Sequence, residues 1–331
     1  MAGRRQKKSG RRSYAWRYRG RIVACVFVEV IIICALVIMI GWNKGVKEWF
    51  EQFEQPVLKE VDISGINSPN AILMQARGGK ILGEINGEAQ IYPASMTKIM
   101  TVILGIENFD NLDEKITLTD EMFAGLYEQD ATQAGFQPGE EVRVIDLLYG
   151  AMLPSGAECC IALADTISGS EADFAELMNK KARKLGMENT HFCDSTGLHN
   201  PDHYSTVKDI AVLMKYCIKN DTFREIIETA RHSTGVTNIH PDGITYYSTM
   251  FKNLSDPTVT GGKILGGKTG YTSEAGHCLV SFAEIEGREY IFVSAGASGA
   301  DGNTIPHIQD AVTVYNRVGA AIEAKMNDNN K

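Results

Sequence analysis

Three short groups of residues in this sequence could together carry out chemistry on a peptide carbonyl. The first is Ser95-Met96-Thr97-Lys98, in which a serine and a lysine lie three residues apart. If Ser95 opens a helix, Lys98 lies one turn further along the same face. A serine hydroxyl is a weak nucleophile until a neighbour accepts its proton, and a lysine that burial keeps neutral can be that neighbour. Alone, the pair also fits a capping serine and a solvated lysine.

The second group, Ser155-Gly156-Ala157, follows Ser95 by 60 residues and lies between two segments of helical periodicity. A serine on a tight loop can pass a proton to a leaving group. Taken alone, this serine fits an ordinary helix N-cap better.

The third group, Lys268-Thr269-Gly270, lies 113 residues further on and is followed by Tyr271. A cation and a hydroxyl on an edge strand suit a substrate carboxylate, and the glycine leaves room for a peptide beside the strand. The glycine spacing does not fit a phosphate-binding loop, and no helix follows. Chance is a poor explanation for all three groups in this order.

The elements that must position these groups are predicted as strands at both ends of the body and helices between them. Glycine turns between apolar runs predict hairpins over 71–85 and 278–295, with a third strand over 263–271. Apolar periodicity predicts helices over 95–107, 143–153, 159–168, 171–185, 207–219, 222–230 and 308–325. The sequence therefore predicts one α/β body with a helical insertion and a cleft where the two parts meet.

Charge is distributed unevenly along the 331 residues. Residues 1–21 contain nine of the 33 Lys and Arg residues and no acid, so the rest combines 24 bases with 41 acids, a net charge of -17. An acidic body argues against nucleic-acid binding. Residues 22–41 carry Glu29 as their one charge, and twenty residues at about 1.5 Å each span a hydrocarbon core of roughly 30 Å.

We therefore expect residues 22–41 to be a single-pass transmembrane signal anchor, with the basic leader in the cytoplasm and the body outside the cell membrane. A cleaved signal peptide is the weaker alternative, because its apolar run should be about 7–15 residues long and end at a small-residue site. Residues 42–66 are assigned to a stalk, 67–326 to the body and 327–331 to a polar tail. The five cysteines after the span have neither disulfide-framework nor zinc-site spacing, so no metal is expected.

The three groups together resemble the signatures of serine penicillin-recognising enzymes, which are Ser-x-x-Lys, Ser-x-Asn and Lys-Thr-Gly. More narrowly, the sequence is similar to the low-molecular-mass D-alanyl-D-alanine carboxypeptidases. Further stretches that match this family lie at 93–101 (PASMTKIMT), 160–165 (CIALAD), 184–189 (KLGMEN), 197–198 (GL), 204–209 (YSTVKD) and 267–276 (GKTGYTSEAG). The resemblance covers about residues 67–297.

This resemblance implies a β-lactamase/transpeptidase-like fold of the α+β kind, with an antiparallel sheet flanked by helices and a helical subdomain. It implies that Ser95 attacks peptidoglycan stem peptides ending in D-Ala-D-Ala and forms an acyl-enzyme. Lys98 would take the proton of Ser95, and Ser155 would pass a proton toward the leaving D-alanine. β-Lactams would act as covalent inhibitors, and no cofactor is implied.

The resemblance also implies how substrate is bound. Lys268 and Thr269 would hold the terminal carboxylate, and Gly270 would leave room for the peptide. The backbone N–H groups of Ser95 and Tyr271 would form the oxyanion hole.

The second group departs from the family pattern. Ala157 stands where the family has Asn, and Glu158 follows where Asp is usual. Loss of one polar contact is expected to cost about 1–3 kcal/mol, or roughly 10–100-fold in rate. Glu158 could compensate only if its side chain reaches the cleft.

Three other functions are compatible with parts of the sequence. A serine β-lactamase would need a water-activating glutamate after the second group, and Glu188 lies at a suggestive distance. A non-catalytic peptidoglycan binder is suggested by Ala157. A zinc carboxypeptidase is suggested by His199 and His203, although Pro201 between them breaks the helical i,i+4 geometry of a zinc pair.

Overall fold

A computed structural model describes residues 58–299 and 305–329 of the chain. Within these two ranges, no helix is both long and apolar enough to cross a membrane. The predicted leader, the predicted span over 22–41 and most of the predicted stalk lie outside the described residues.

The described elements begin with two strands of one sheet, continue with most of the helices, and end with further strands of that sheet and a final helix. In order they are β1 (Asn70–Gln75), β2 (Ile81–Ile85), a 3-10 helix (Ala94–Thr97), α1 (Lys98–Asn108), β3 (Lys115–Thr117), a 3-10 helix (Asp120–Phe123), β4 (Glu141–Arg143), α2 (Val144–Met152), α3 (Ala157–Ser168), α4 (Glu171–Leu185), α5 (Val207–Cys217), α6 (Asp221–Glu228), β5 (Arg231–Ser233), β6 (Thr245–Tyr247), α7 (Thr249–Asn253), β7 (Thr258–Val259), β8 (Gly262–Thr272), β9 (Gly276–Ile285), β10 (Arg288–Ala297) and α8 (Pro306–Asn329).

Six antiparallel strands form the main sheet, in the order β2-β1-β10-β9-β8-β7. Both predicted hairpins and the predicted third strand are confirmed. The tight β9–β10 turn places Glu286 and Gly287 at φ values of 47° and 68°, the left-handed backbone that two-residue hairpin turns require. The sheet therefore joins the two ends of the body and presents β8 near its edge.

The helical part lies between β2 and β7 in the chain, as the periodicity predicts. Thr206 caps α5 by accepting a hydrogen bond from the backbone nitrogen of Asp209 at 3.0 Å. The two-stranded pairs β3–β4 and β5–β6, and the five-residue helix α7, were not predicted. Elements of three to five residues are too short to show a period.

The sheet is buried on both faces. Along β9, Val280 and Phe282 pack with the helical part, whereas Leu279 and Ala283 pack in a second apolar layer with α8. Successive strand residues point to opposite faces, so a sheet covered on both sides needs apolar residues at almost every position. This explains why β9 lacks a polar–apolar alternation.

The second apolar layer includes residues before the predicted body, and the helix that packs in it extends beyond the predicted end of the body, so two predicted boundaries are wrong. Leu58, Val61 and Ile63 are buried in it, so residues 58–66 are part of the body, although they were assigned to the stalk. The helix α8 extends to Asn329, into the predicted polar tail. Both segments follow the outer face of the sheet, and that face needs an apolar cover.

Candidate active site

A cleft of about 670 Å³ lies beside β8 and collects residues from all three sequence groups. The predicted site residues that line it are Ser95, Ser155, Lys268, Thr269, Gly270 and Tyr271. Lys98 lies beneath this lining, at 4% exposure. Residues separated by up to 176 positions in the chain are thus brought to one place.

The hydroxyl of Ser95 lies between two groups that can handle a proton. Its Oγ is 3.0 Å from the Nζ of Lys98 and 3.0 Å from the Oγ of Ser155. Ser95 lies in the 3-10 helix that leads into α1, one turn before Lys98, rather than in α1 itself. This arrangement can take a proton from Ser95 and deliver one from Ser155.

Ser155 itself and Ala94, the residue before Ser95, have positive backbone φ angles. Ala94 and Ser155 have φ values of 47° and 75°, in the left-handed region that costs a non-glycine residue of order 1–3 kcal/mol. The backbone nitrogen of Gly156 donates to the carbonyl of Gly150 at 2.8 Å and helps to hold the Ser155 turn. Such strain is typical of turns that aim a side chain into a functional site.

The environment of Lys98 favours its neutral form. Burial lowers the pKa of Lys98, and the opposing influences of Cys160, Asp194 and Glu158 are smaller. Its Nζ also donates to the backbone carbonyl of Thr196 at 2.6 Å. A buried amine that is partly neutral at moderate pH can accept the proton of a nearby hydroxyl.

The second lysine lies on β8. Burial, together with the charge of Lys98, holds the pKa of Lys268 well below the ordinary lysine value. Its Nζ donates to the carbonyl of Thr269 at 2.9 Å, and the hydroxyls of Thr269 and Thr249 are 2.7 Å apart. Thr249 was not predicted, because it lies in the five-residue helix α7. An amine and two hydroxyls here form a set of donors for an anion.

Gly270 brings β8 into contact with the turn that contains Ser95. A Cβ on Gly270 would lie 2.9 Å from the backbone nitrogen of Ser95 and 3.1 Å from the Cβ of Ala94. The side chain of the next residue, Tyr271, is 59% exposed, and its ring centroid lies 4.7 Å from that of His277. The backbones of β8 and Ser95 can therefore approach closely only with glycine at this position.

Glu158 does not reach the cleft. Its buried carboxylate accepts hydrogen bonds from the backbone nitrogens of Ala134 and Gly135, at 2.6 Å and 2.9 Å. Burial raises the pKa of Glu158. Glu158 therefore holds a loop, part of which (Gln129, Asp130 and Thr132) lines the cleft, and it does not replace the missing amide at Ala157.

Within the part of the chain that the structure describes, the glutamate and histidines that suggested a β-lactamase or a zinc carboxypeptidase form no hydrogen bond with Ser95 or Lys98. Glu188 is exposed and does not line the cleft. His203 is buried against Thr97 and Asp194, whereas His199 packs edge-on against Tyr92. No group of three or more His, Cys, Asp or Glu residues within 58–299 and 305–329 could hold a metal ion.

Comparisons with known proteins identify the family of this chain. The family described as D-alanyl-D-alanine carboxypeptidase matches residues 57–299. The D-alanyl-D-alanine carboxypeptidase DacF of Bacillus subtilis is 35% identical over 233 residues, which cover 69% of this chain and 57% of that protein. The D-alanyl-D-alanine carboxypeptidase of Streptomyces sp. strain K15 is 35% identical over 236 residues, covering 69% and 78%. The match thus spans just over half the length of the Bacillus relative.

Solved structures share the fold. The crystal structure of the Streptomyces K15 DD-transpeptidase superposes with a TM-score of 0.69 at 29% identity, covering 79% of this chain and 100% of that chain. The D-alanyl-D-alanine carboxypeptidase of Mycobacterium tuberculosis has a TM-score of 0.69 at 21% identity, covering 81% and 96%. The chain therefore belongs to the D-alanyl-D-alanine carboxypeptidase family and has its mixed α/β fold, an antiparallel sheet flanked by helices.

Proposed function

We propose that this protein is a serine D,D-carboxypeptidase that removes the terminal D-alanine from peptidoglycan stem peptides ending in D-Ala-D-Ala. The observation that carries the proposal is the position of the Ser95 hydroxyl, 3.0 Å from both the Lys98 amine and the Ser155 hydroxyl at a cleft. Family membership and the names of the relatives support it.

Acylation begins with transfer of the Ser95 proton to the neutral amine of Lys98. The Ser95 Oγ then bonds to the carbonyl carbon of the penultimate D-alanine, and the carbonyl oxygen becomes negatively charged. The backbone N–H groups of Ser95 and Tyr271 are the proposed donors to this oxyanion, because the glycine between Thr269 and Tyr271 lets β8 lie against Ser95. Fixed donors aimed at developing charge are often the largest single contribution to catalysis.

Collapse of the tetrahedral intermediate breaks the peptide C–N bond. Ser155 gives its proton to the leaving nitrogen and is reprotonated from Lys98, so the free D-alanine leaves with the proton of Ser155 and the proton taken from Ser95 replaces it. Water then attacks the Ser95 ester and gives a proton to Lys98. As the ester C–Oγ bond breaks, Lys98 passes that proton to the Ser95 Oγ, and the shortened peptide departs with a new carboxyl group.

Lys268 and Thr269 provide the proposed site for the carboxylate of the terminal D-alanine, together with Thr249. A bound carboxylate would favour the charged form of Lys268, and charge-assisted hydrogen bonds are stronger than neutral ones. β-Lactams that carry a carboxylate near a strained amide are expected to use the same contacts and to acylate Ser95.

The full-length protein in detergent tests the proposal with an N-acylated peptide ending in D-Ala-D-Ala. We expect D-alanine release by the wild type, none by Ser95→Ala, and normal release by Ser273→Ala. Ser273 is a matched control because it also lines the cleft but is not among the proposed catalytic groups. Release at the same rate by Ser95→Ala, or no release by the folded wild type, would contradict the proposal.

We further propose that residues 22–41 anchor the protein in the cell membrane, with residues 1–21 in the cytoplasm and the body outside. The basic leader and the apolar run support this arrangement. A cysteine introduced by Tyr127→Cys, at a site that is 88% exposed, should react with a membrane-impermeant maleimide in intact spheroplasts, over the background of the unsubstituted protein. Labelling of that cysteine only after lysis would place the body inside the cell.

A further inference from the structure

We propose that Asp194, His203 and Thr97 are positioning residues that orient the amine of Lys98 toward Ser95. They do so through the backbone carbonyl of Thr196. This inference rests on the proposed function, in which Lys98 is the base. It adds Asp194 and His203, which the three sequence groups do not contain, and gives a role to Thr97, which lies within the first group.

The first contact in this series of residues is between the Lys98 amine and the loop after α4. The Nζ of Lys98 donates one N–H to the Thr196 carbonyl at 2.6 Å and lies 3.0 Å from the Ser95 Oγ. A neutral amine has one lone pair, and a fixed N–H direction restricts where that lone pair points. The orientation of the Thr196 carbonyl therefore governs how well Lys98 can accept the serine proton.

Asp194 fixes that carbonyl. Its Oδ1 accepts hydrogen bonds from the backbone nitrogens of Thr196 and Gly197, at 2.7 Å and 2.6 Å, and from the Thr196 hydroxyl at 2.7 Å. The Gly197 N–H and the Thr196 C=O belong to the same planar peptide unit and point in opposite directions. When Asp194 holds the N–H, it also aims the carbonyl away from itself, toward Lys98.

Gly197 allows this loop to lie against the nucleophile turn. Its φ is +82°, and a Cβ at this position would be only 1.9 Å from the carbonyl oxygen of Ala94. The loop that carries Thr196 is thus in direct backbone contact with the turn that carries Ser95. Small shifts of the loop are transmitted to the distance between Lys98 and Ser95.

His203 and Thr97 close the chain of contacts. The Nδ1 of His203 lies 3.1 Å from Oδ2 of Asp194, and its Nε2 lies 2.9 Å from the hydroxyl of Thr97. Thr97 is the residue before Lys98. The contacts therefore connect the backbone at Lys98 to the far end of its own side chain. Thr97, His203 and Thr196 are buried, whereas the side chain of Asp194 is 19% exposed.

The charge of Asp194 is a separate influence on Lys98. His203 and the hydrogen bonds of the loop outweigh burial and lower the pKa of Asp194 to about 2, so the carboxylate is an anion at neutral pH. The titratable groups that act on Lys98 or respond to it are Asp194 from the loop, Glu158, Cys159 and Cys160 from α3, and Lys268 from β8. Removal of the Asp194 charge removes one influence that raises the pKa of Lys98.

The test compares three full-length variants by their rate of acylation with a fluorescent penicillin. Thr97→Val keeps the shape of the side chain but removes the hydroxyl, and we expect a loss of about 10–100-fold, the size of effect that small misplacements of a reacting group produce. Thr97→Ser should restore most of the rate. Thr234→Val is the matched control, because Thr234 is also buried and hydrogen-bonded but lies in the β5–β6 hairpin.

A fourth variant, at Asp194, separates an effect on Lys98 from an effect on stability. Asp194→Asn keeps the shape but loses the charge, so the acid limb of the acylation rate should move to lower pH while the plateau rate falls. A residue that only stabilises the fold would lower the melting temperature without moving that limb. Wild-type acylation by Thr97→Val, or a wild-type plateau rate in Asp194→Asn, would overturn the inference, whereas a wild type that is neither acylated nor active would instead overturn the proposed function.

Discussion

Lys98 and Lys268 are two buried amines that share one site, and the charge of Lys98 lowers the pKa of Lys268. Burial is the larger cause for Lys268, and it also lowers the pKa of Lys98. The site therefore disfavours two simultaneous ammonium ions. A neutral Lys98 can act as the proposed base. Lys268 can become charged when a carboxylate binds, as the proposed anion site requires.

The acylation rate should therefore depend on pH through Lys98. Because burial lowers the pKa of this amine below the ordinary value of 10.5, the active free base is present at lower pH than for an exposed lysine. The rate with a β-lactam should rise with pH and reach its plateau before that value. Lys98→Arg, which stays protonated at all accessible pH values, should abolish acylation. A rate independent of pH, or an active Lys98→Arg, would exclude Lys98 as the base.

Gly270→Ala should reduce acylation by about 10–100-fold, since the added methyl would force β8 away from Ser95 by a fraction of an ångström. Overpacking of this kind also costs typically 1–3 kcal/mol of stability. The control is Gly235→Ala, where the new Cβ meets only the side-chain end of Arg143, at 3.4 Å. Stopped-flow acylation kinetics measure the effect, and equal rates for both variants would contradict the proposed close approach.

Glu158→Gln should change how stability depends on pH. Burial raises the pKa of Glu158, so the folded state binds a proton more tightly than the unfolded state does. The resulting stabilisation is full below the ordinary pKa of 4.5 and is lost as pH rises through the raised value. The melting temperature of the variant, relative to wild type, should rise with pH between these limits. A difference in melting temperature that stays the same across this pH range would contradict the prediction.

Tyr315→Phe should lower the free energy of unfolding by about 1–3 kcal/mol, because it leaves buried polar groups without a partner. The Tyr315 hydroxyl, on α8, accepts from the backbone nitrogen of Phe292 and contacts the hydroxyl of Ser281, both at 3.1 Å. D-alanine release should not change. Denaturant unfolding measures the loss, and Tyr247→Phe, at an exposed tyrosine, is the control. An equal effect of the two substitutions would mean that Tyr315 does not join α8 to the sheet.

The sequence predicted the parts of the site that short motifs carry. Ser95 and Lys98 lie one turn apart, so local geometry alone brings them together. The family resemblance implied that Ser155 and Lys268 share a site with Ser95, and the structure places both at the same cleft. Long helices such as α4, Glu171–Leu185, matched their predicted bounds because they have enough turns to show a period.

The remaining parts of the site depend on contacts that no local pattern shows. The partner of Lys98 is a backbone carbonyl 98 residues away, at Thr196, and a carbonyl has no sequence signature. The direction of the Glu158 side chain depends on where the loop before β4 packs. The burial of Leu58 depends on an uncovered sheet face that exists only in the folded molecule.

The proposed mechanism requires Ser95 to form a covalent acyl-enzyme, which mass spectrometry of the full-length protein after incubation with a penicillin can detect. We expect one penicilloyl group per chain, located on the peptide that contains Ser95 and absent from Ser95→Ala. An adduct on another residue, or a folded wild-type protein that remains unmodified under saturating penicillin, would contradict it.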